Sequence, residues 1–338
     1  MEKRANKNDI YFSFFMFTAD LKPADRNYTQ ILISHLDTLV KIGYTGFDMH
    51  IATPSIPADH QIEINNYVDL KQAFDKAGFN DFKFNTNVGT TFTYDITSPF
   101  EQQRELALCY LKSRVDITSV LGGKNAIMSG PFLYPYGVFP QTDNDESIWS
   151  DDLQEWMRPR YNNAKCEFQE LVEYANSKDV ILAIEPIKNW ESPPPNMVSE
   201  VLDFIDGLGA ASTCGVAIDT AQCVLESQGP LVFKENVARA ADTNRLYYIH
   251  ISAPDRGEIK DSWIPWDFML GEIDPVFTGP YLIEVFNAIP PFQSSMRMTR
   301  RRFWRPGEDS LTCAPSAYDV ASTAFSELQY RLDKLRSE

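Results

Sequence analysis

The stretch Val180 to Glu191, VILAIEPIKNWE, sets the strongest constraint on how this chain can fold. An apolar run, Val180 to Ile184, delivers a carboxylate at Glu185, and a second acid, Glu191, follows six residues later. An ionised carboxylate at the end of a buried strand is costly unless it is paired or bound to a metal. The arrangement recurs: CGVAIDT ends near Asp219, LYYIHISA carries His250 and PYLIEVFNA carries Glu284. The separations are 219−185 = 34, 250−219 = 31 and 284−250 = 34, about one strand–helix unit each time. Four strand ends thus present two Glu, one Asp and one His, a donor set for a divalent cation.

The rest of the chain has the same rhythm. Strands are expected at Ile10 to Thr18, Thr45 to Ile51, Phe82 to Val88, Asn125 to Ser129, from Val180, at Cys214 to Asp219, Leu246 to Ile251 and Tyr281 to Phe286. Helices are expected between them, at Asn27 to Ile42, Ile62 to Ala77, Pro99 (in the first turn) to Leu121, up to Ser177, Met197 to Leu208 with Asn196 as N-cap, and Pro230 to Ala241. A loop of about twenty residues follows His250, and Ala317 to Leu335 is a closing helix. Eight strands alternating with helices predict an α/β fold, a (β/α)8 TIM barrel with long loops on its C-terminal face. An open doubly wound sheet is the alternative, disfavoured because no GxGxxG opens a helix. Without a linker or composition break, one domain over 1–338 is expected, with the barrel at about 10–290 and a C-terminal extension and helix at 291–338.

Charge narrows the partners. With 31 basic against 47 acidic residues the formal net charge is −16, which disfavours nucleic acid. Lys3 and Arg4 before the apolar run from Ile10 faintly suggest a leader, but the run is short and aromatic and reads as the first core strand. No stretch reaches the ~20 apolar residues of a membrane span. Five cysteines without a CxxC pair suit a reducing, cytoplasmic setting. Only four histidines occur, which rules against multi-histidine sites. Three hard carboxylates with one imidazole suit Mn²⁺, Mg²⁺, Co²⁺ or Fe²⁺ better than a thiolate-type zinc site, and Mn²⁺ is the first expectation. Taken singly, each acid reads equally well as a satisfied rim or core group.

These motifs resemble the sugar phosphate isomerase/epimerase-like barrels that include xylose isomerase, and within them the ketose 3-epimerases acting on D-tagatose and D-psicose. The resemblance runs from about Ile10 to Phe286 and is strongest after Val180. It matches Glu185 and Glu191 to a metal glutamate and a substrate-binding glutamate, Asp219 to the strand-six aspartate and Glu284 to the last metal glutamate. The family stretch H-x-G-E-x-x-R is HISAPDR here, so His250 and Arg256 match while Ser252 and Ala253 replace Gly and Glu. Gln222 stands where the family often has a substrate-contacting histidine.

The resemblance implies a metal held by Glu185, Asp219, His250 and Glu284, with Glu185 and Glu284 exchanging a proton next to the carbonyl of a ketose or keto-sugar through an enediolate. Glu191, Gln222, Arg256, Trp263 and His50 are the expected substrate contacts, with Trp266, Tyr134 and Tyr136 in a hydrophobic wall. The basic stretch Arg297 to Arg305 reads as an anion or subunit contact, or as a bridge to the chain's own acids. A homo-oligomer is expected from base rates. Two alternatives stand: the catalytic subunit of a C-glycoside deglycosidase with a second, small subunit, and a non-catalytic sugar-binding barrel.

Overall fold

The computed structural model describes residues 8–17, 27–51, 53–54, 57–135, 150–189, 191–209, 213–226, 229–286 and 311–337. Arg297 to Arg305 and Tyr136 lie outside the described residues. Eight parallel strands close in chain order: β1 (Ile10–Ser13), β2 (Gly46–Ile51), β3 (Lys83–Val88), β4 (Ile127–Gly130), β5 (Ile181–Ile184), β6 (Cys214–Asp219), β7 (Leu246–Ile251) and β8 (Tyr281–Ile283). The helices are α1 (Tyr28–Ile42), α2 (His60–Lys76), α3 (Glu101–Gly122), α4 (Ser150–Ser177), α5 (Val198–Asp206), α6 (Thr220–Leu225), α7 (Gly229–Asp242), α8 (Trp266–Ile273) and α9 (Ala317–Ser337). The fold is a (β/α)8 barrel.

Alternation along each strand makes two cores. Outward-facing residues pack under the helices. In α1, Tyr28, Leu32, His35, Leu36 and Leu39 form the buried stripe, and Gly43 ends the helix at φ +123°. Phe74 of α2 stacks on Phe84 of β3 with ring centroids 5.1 Å apart, and each such ring contributes about 1.5–3 kcal/mol by burial. Inward-facing Tyr11, Ile127, Ala183, Ala217, Tyr248 and Leu282 form a second cluster that plugs the barrel below its C-terminal end. Small residues make room for the large ones. A Cβ on Gly46 would come within 2.3 Å of the Tyr11 ring, its partner in the β1–β2 register.

Several expected boundaries shift for local reasons. Pro99 lies outside α3, whose N-cap is Phe100. Strand β1 ends at Ser13, and a 3-10 turn, Phe14–Met16, follows. Strand β8 ends at Ile283, so Glu284 lies one residue beyond it. Asn196 is not the N-cap of α5, which is Met197. The Asn196 amide instead donates to the carbonyls of Ile187 and Ser192, and the Glu200 carboxylate accepts from the backbone N–H groups of Asn196 and Met197. The long loop after β7 gives way to α8 at Trp266. Helix α9 packs on the outside of the barrel between α8 and α1, with Tyr44 donating to Ala321 O at 2.8 Å and meeting Phe325 edge-on. No helix among the described residues is long and apolar enough to cross a membrane.

Candidate active site

The four residues singled out by the strand-end pattern meet at the C-terminal mouth of the barrel. Glu185, Asp219, His250 and Glu284 are 0–3% exposed, and each offers one donor atom within 4.8 Å of all the others. Their backbones are set by the sheet. The Glu185 N–H donates to Gly130 O (3.1 Å), Asp219 and His250 face each other in the β6–β7 register, and the Glu284 N–H donates to Ile251 O (3.0 Å). Gly130 takes φ +117°, and a Cβ there would lie 2.4 Å from Val88 O, so the strand end beside Glu185 accepts only glycine without displacement.

Asp219 has a second task. It ends β6 and caps α6, its carboxylate accepting from the Gln222 N–H at 2.9 Å. The same oxygen accepts from Ser252 Oγ at 2.6 Å, and Ser252 Oγ in turn accepts from Arg256 at 2.9 Å. Ser252 is itself fixed by Thr220, whose hydroxyl donates to Ser252 O. The Arg256 guanidinium donates to Asp219 Oδ2 (2.5 Å) and Glu284 Oε2 (2.9 Å). Arg256 is therefore no loose loop arginine. It is 6% exposed, and its φ of +54° is backbone strain at the site.

Electrostatics follow from this packing. Burial pushes the Asp219 carboxyl up, but Arg256 and His250 outweigh it and hold the group well below the usual carboxylate range. Burial dominates at Glu284 and raises it well above that range. Burial disfavours the charged His250 ring, yet Glu185, with Oε1 3.3 Å from Nδ1, lifts it to about 10. Among the described residues Nδ1 has only that contact and Nε2 has no hydrogen-bond partner. A buried imidazole with a nitrogen left open, among three buried carboxylates, fits a divalent cation: oxygen donors suit hard ions and imidazole is a common ligand. Below it the Tyr248 ring meets His250 edge-on at 4.8 Å and donates its hydroxyl to Asp48, which burial pushes up to about 7.

The expected substrate contacts fall into place unequally. Gln222 is 1% exposed; its Oε1 accepts from the Lys188 N–H at 3.1 Å, which fixes the amide and leaves Nε2 a donor without a partner among the described residues. Glu191 pairs with Lys188 at 2.5 Å. The His50 ring lies tilted against Phe15 with centroids 4.9 Å apart, and its Nδ1 has no hydrogen-bond partner among the described residues. Trp263 is 93% exposed, and Trp266 is buried with its indole N–H donated to Ile259 O. These two do not form the buried wall expected of them, because one points to solvent and the other is needed to close α8. Tyr134 does reach the site, lining a small cleft with Glu185, Ile187 and Pro195.

Sequence reasoning missed four contributors. Phe15 and Phe286 pack with tilted rings 4.5 Å apart, and Arg256 lies 5.1 Å over Phe286, so these rings link His50 to Arg256 across the mouth. Ser252 and Lys188 were missed as supports. The departure from the family motif at Ser252 was the available signal for the first, and the burial of Lys188 had none.

Comparison with known proteins agrees with the barrel fold. A candidate sugar phosphate isomerase/epimerase from Anabaena variabilis is 46% identical, with a TM-score of 0.91, covering 98% of this chain and 100% of that one. D-allulose 3-epimerase from Methylomonas sp., solved with D-allulose, is 19% identical with a TM-score of 0.73, covering 96% of this chain and 97% of that one. L-ribulose 3-epimerase of Methylomonas sp. (strain DH-1) is 21% identical over 252 residues, 74% of this chain and 79% of that protein. Residues 36–302 match the family described as Xylose isomerase-like TIM barrel, and the chain belongs to that family.

Proposed function

We propose that this chain is a divalent-metal-dependent sugar epimerase or isomerase that moves the proton next to the carbonyl of a ketose or keto-sugar. The observation that carries the reading is the buried Glu185–Asp219–His250–Glu284 cluster, with its donor atoms within 4.8 Å and the His250 Nε2 without a hydrogen-bond partner among the described residues. Those four residues would hold the ion, Mn²⁺ first. Once bound, it would polarise the substrate carbonyl as a Lewis acid and stabilise the charge of the enediolate.

The remaining chemistry belongs to side chains. Glu185 and Glu284 come from opposite flanks of the cluster, β5 and β8. One carboxylate takes the C–H proton from one face of the sugar, and the other carboxyl returns a proton to the opposite face, inverting that carbon. Ser252 and Arg256 keep Asp219 and Glu284 in place while charge moves. Gln222 Nε2 offers a hydroxyl-directed donor, Glu191 an acceptor and His50 a third polar contact. Phe15 and Phe286 would shield the reacting carbon from water, which strengthens every charge interaction within.

The test is turnover of a ketose panel in D2O, followed by chromatography and mass spectrometry. The enzyme should lose activity in EDTA, regain it with Mn²⁺ and place deuterium next to the carbonyl. Glu185→Gln and Glu284→Gln should each cost about 10²-fold or more in kcat. Activity indifferent to chelation, or product without deuterium, sinks the reading. Release of aglycone from a 3-keto-C-glycoside, with no ketose turnover, would move the site to the deglycosidase reaction.

A further inference from the structure

We infer that Lys188 is a positioning residue for Glu191, and through it for the hydroxyl-bearing end of the substrate; this rests on the sugar-binding reading of the site. Lys188 lies between the two acids of the Val180 to Glu191 stretch with no role assigned to it by the motif, yet its side chain is 2% exposed and its ammonium lies 2.5 Å from Glu191 Oε1. Its backbone is held on both sides. The Lys188 N–H donates to Gln222 Oε1, and Lys188 O accepts from the N–H groups of Glu191 (3.0 Å) and Ser192 (3.2 Å). The Asn196 amide pins the neighbouring carbonyls of Ile187 and Ser192. The ammonium therefore starts from a fixed Cα and can meet Glu191 in one geometry.

This turn explains the six-residue spacing of Glu185 and Glu191. The chain leaves β5 after Glu185, turns on Lys188, and brings Glu191 back against the side chain three residues earlier. Stability alone does not call for such a pair, since a buried ion pair is often replaceable by apolar residues at no loss. Lys188 also sits in the field of Arg256, and burial together with that second cation lowers its proton affinity. A like charge beside Arg256 is a cost that a neutral side chain would avoid. What the ammonium adds is direction: it engages Oε1 of Glu191 and leaves the other oxygen to accept from a sugar hydroxyl. A lone glutamate, 15% exposed, would sample several rotamers and lose affinity accordingly.

The experiment compares Lys188→Met, Lys188→Arg, Glu191→Gln and the Lys188→Met/Glu191→Gln double variant, all loaded with Mn²⁺ and assayed on the best ketose of the panel. Lys188→Met should raise KM about tenfold and leave kcat within about threefold, because the lost contact is the same in ground and transition states. Lys188→Arg should keep KM within about threefold of wild type, and the double variant should be no worse than Glu191→Gln alone. A Lys188→Met KM within about twofold of wild type, or a fall in Tm with no change in KM, overturns the inference. A second readout needs no turnover. In crystal structures of wild type and Lys188→Met, the Glu191 carboxylate should move; a carboxylate that stays where it is refutes the positioning role. If the wild type turns over no ketose, the functional reading has failed and the structures alone decide on Lys188.

Discussion

Replacing Arg256 by Met tests the electrostatic account of the site most directly. Its guanidinium donates to Asp219, Glu284 and Ser252 at 2.5–2.9 Å and is almost fully buried. Removing one partner from a buried ion pair costs about 3–5 kcal/mol, because the other charge is left uncompensated. For a chain of 338 residues the unfolding entropy is about 0.7 kcal/mol per kelvin, so Tm should fall by about 4–7 °C in EDTA. A divalent ion changes the balance, since it supplies the positive charge that the variant lacks. At a metal concentration of 100 Kd the wild type gains about 2.7 kcal/mol, near 4 °C. The variant should gain more, because a fixed cation no longer competes for Asp219 and Glu284. Thermal unfolding in EDTA and in Mn²⁺ measures both arms, and the deficit in Mn²⁺ should be less than half of that in EDTA. Equal deficits, or no deficit in EDTA, would refute the claim that Arg256 and the cation share the same carboxylates. Arg256→Lys should recover part of the wild-type stability, since all three contacts come from the single nitrogen Nη1 and an ammonium also carries three donors.

Three further outcomes follow from single contacts. Ser252→Ala removes the hydroxyl that orients Asp219, and Mn²⁺ affinity by titration should fall about tenfold or more while the fold persists; unchanged affinity would reduce Ser252 to packing. Gly130→Ala forces a Cβ to 2.4 Å from Val88 O at a positive φ, which should cost about 2–5 kcal/mol in urea unfolding; a neutral result would mean that the strand end next to Glu185 yields freely. Burial pushes His35 down to about 4, so between pH 6.5 and 4 the unfolded chain binds a proton that the fold refuses. Its contribution of about 3 kcal/mol is complete above pH 6.5 and lost as pH falls through that window. His35→Phe should flatten urea stability over it, leaving the share of His50, also pushed to about 4; an unaltered slope would refute the assignment.

How far the fold could be read ahead depended on the length and rhythm of each element. Strands β6 and β7 matched their expected bounds residue for residue, because unbroken apolar runs ended by an acid or a loop leave few alternatives. Helices α6 and α8 were missed. Six and eight residues are too short for a 3.6-residue period to stand out, and the cap of α6 is Asp219, already assigned to the strand. Asn196 misled for a different reason. A good capping side chain competes with every nearby carbonyl, and the turn at Lys188 to Ser192 won it, so Glu200 took over at α5.

The site divides the same way. Its four central donors were legible because a buried carboxylate is expensive, and a sequence that repeats that expense at matched spacing declares a shared charge partner. Their supports were not legible, because each acts through a neighbour that only the barrel brings close. Ser252 reaches Asp219 from 33 residues away, and Phe15 meets Phe286 from the far end of the chain. Lys188 is the clearest case. In the sequence it is one lysine among many, and nothing in its flanking residues forces it inside. The closure of β5 against β6 buries it between Gln222 and Glu191, and turns a solvent-seeking side chain into a fixed part of the site. The strand-end donors are thus written in local sequence, whereas their supports depend on which loop residues the closed barrel compels to pair.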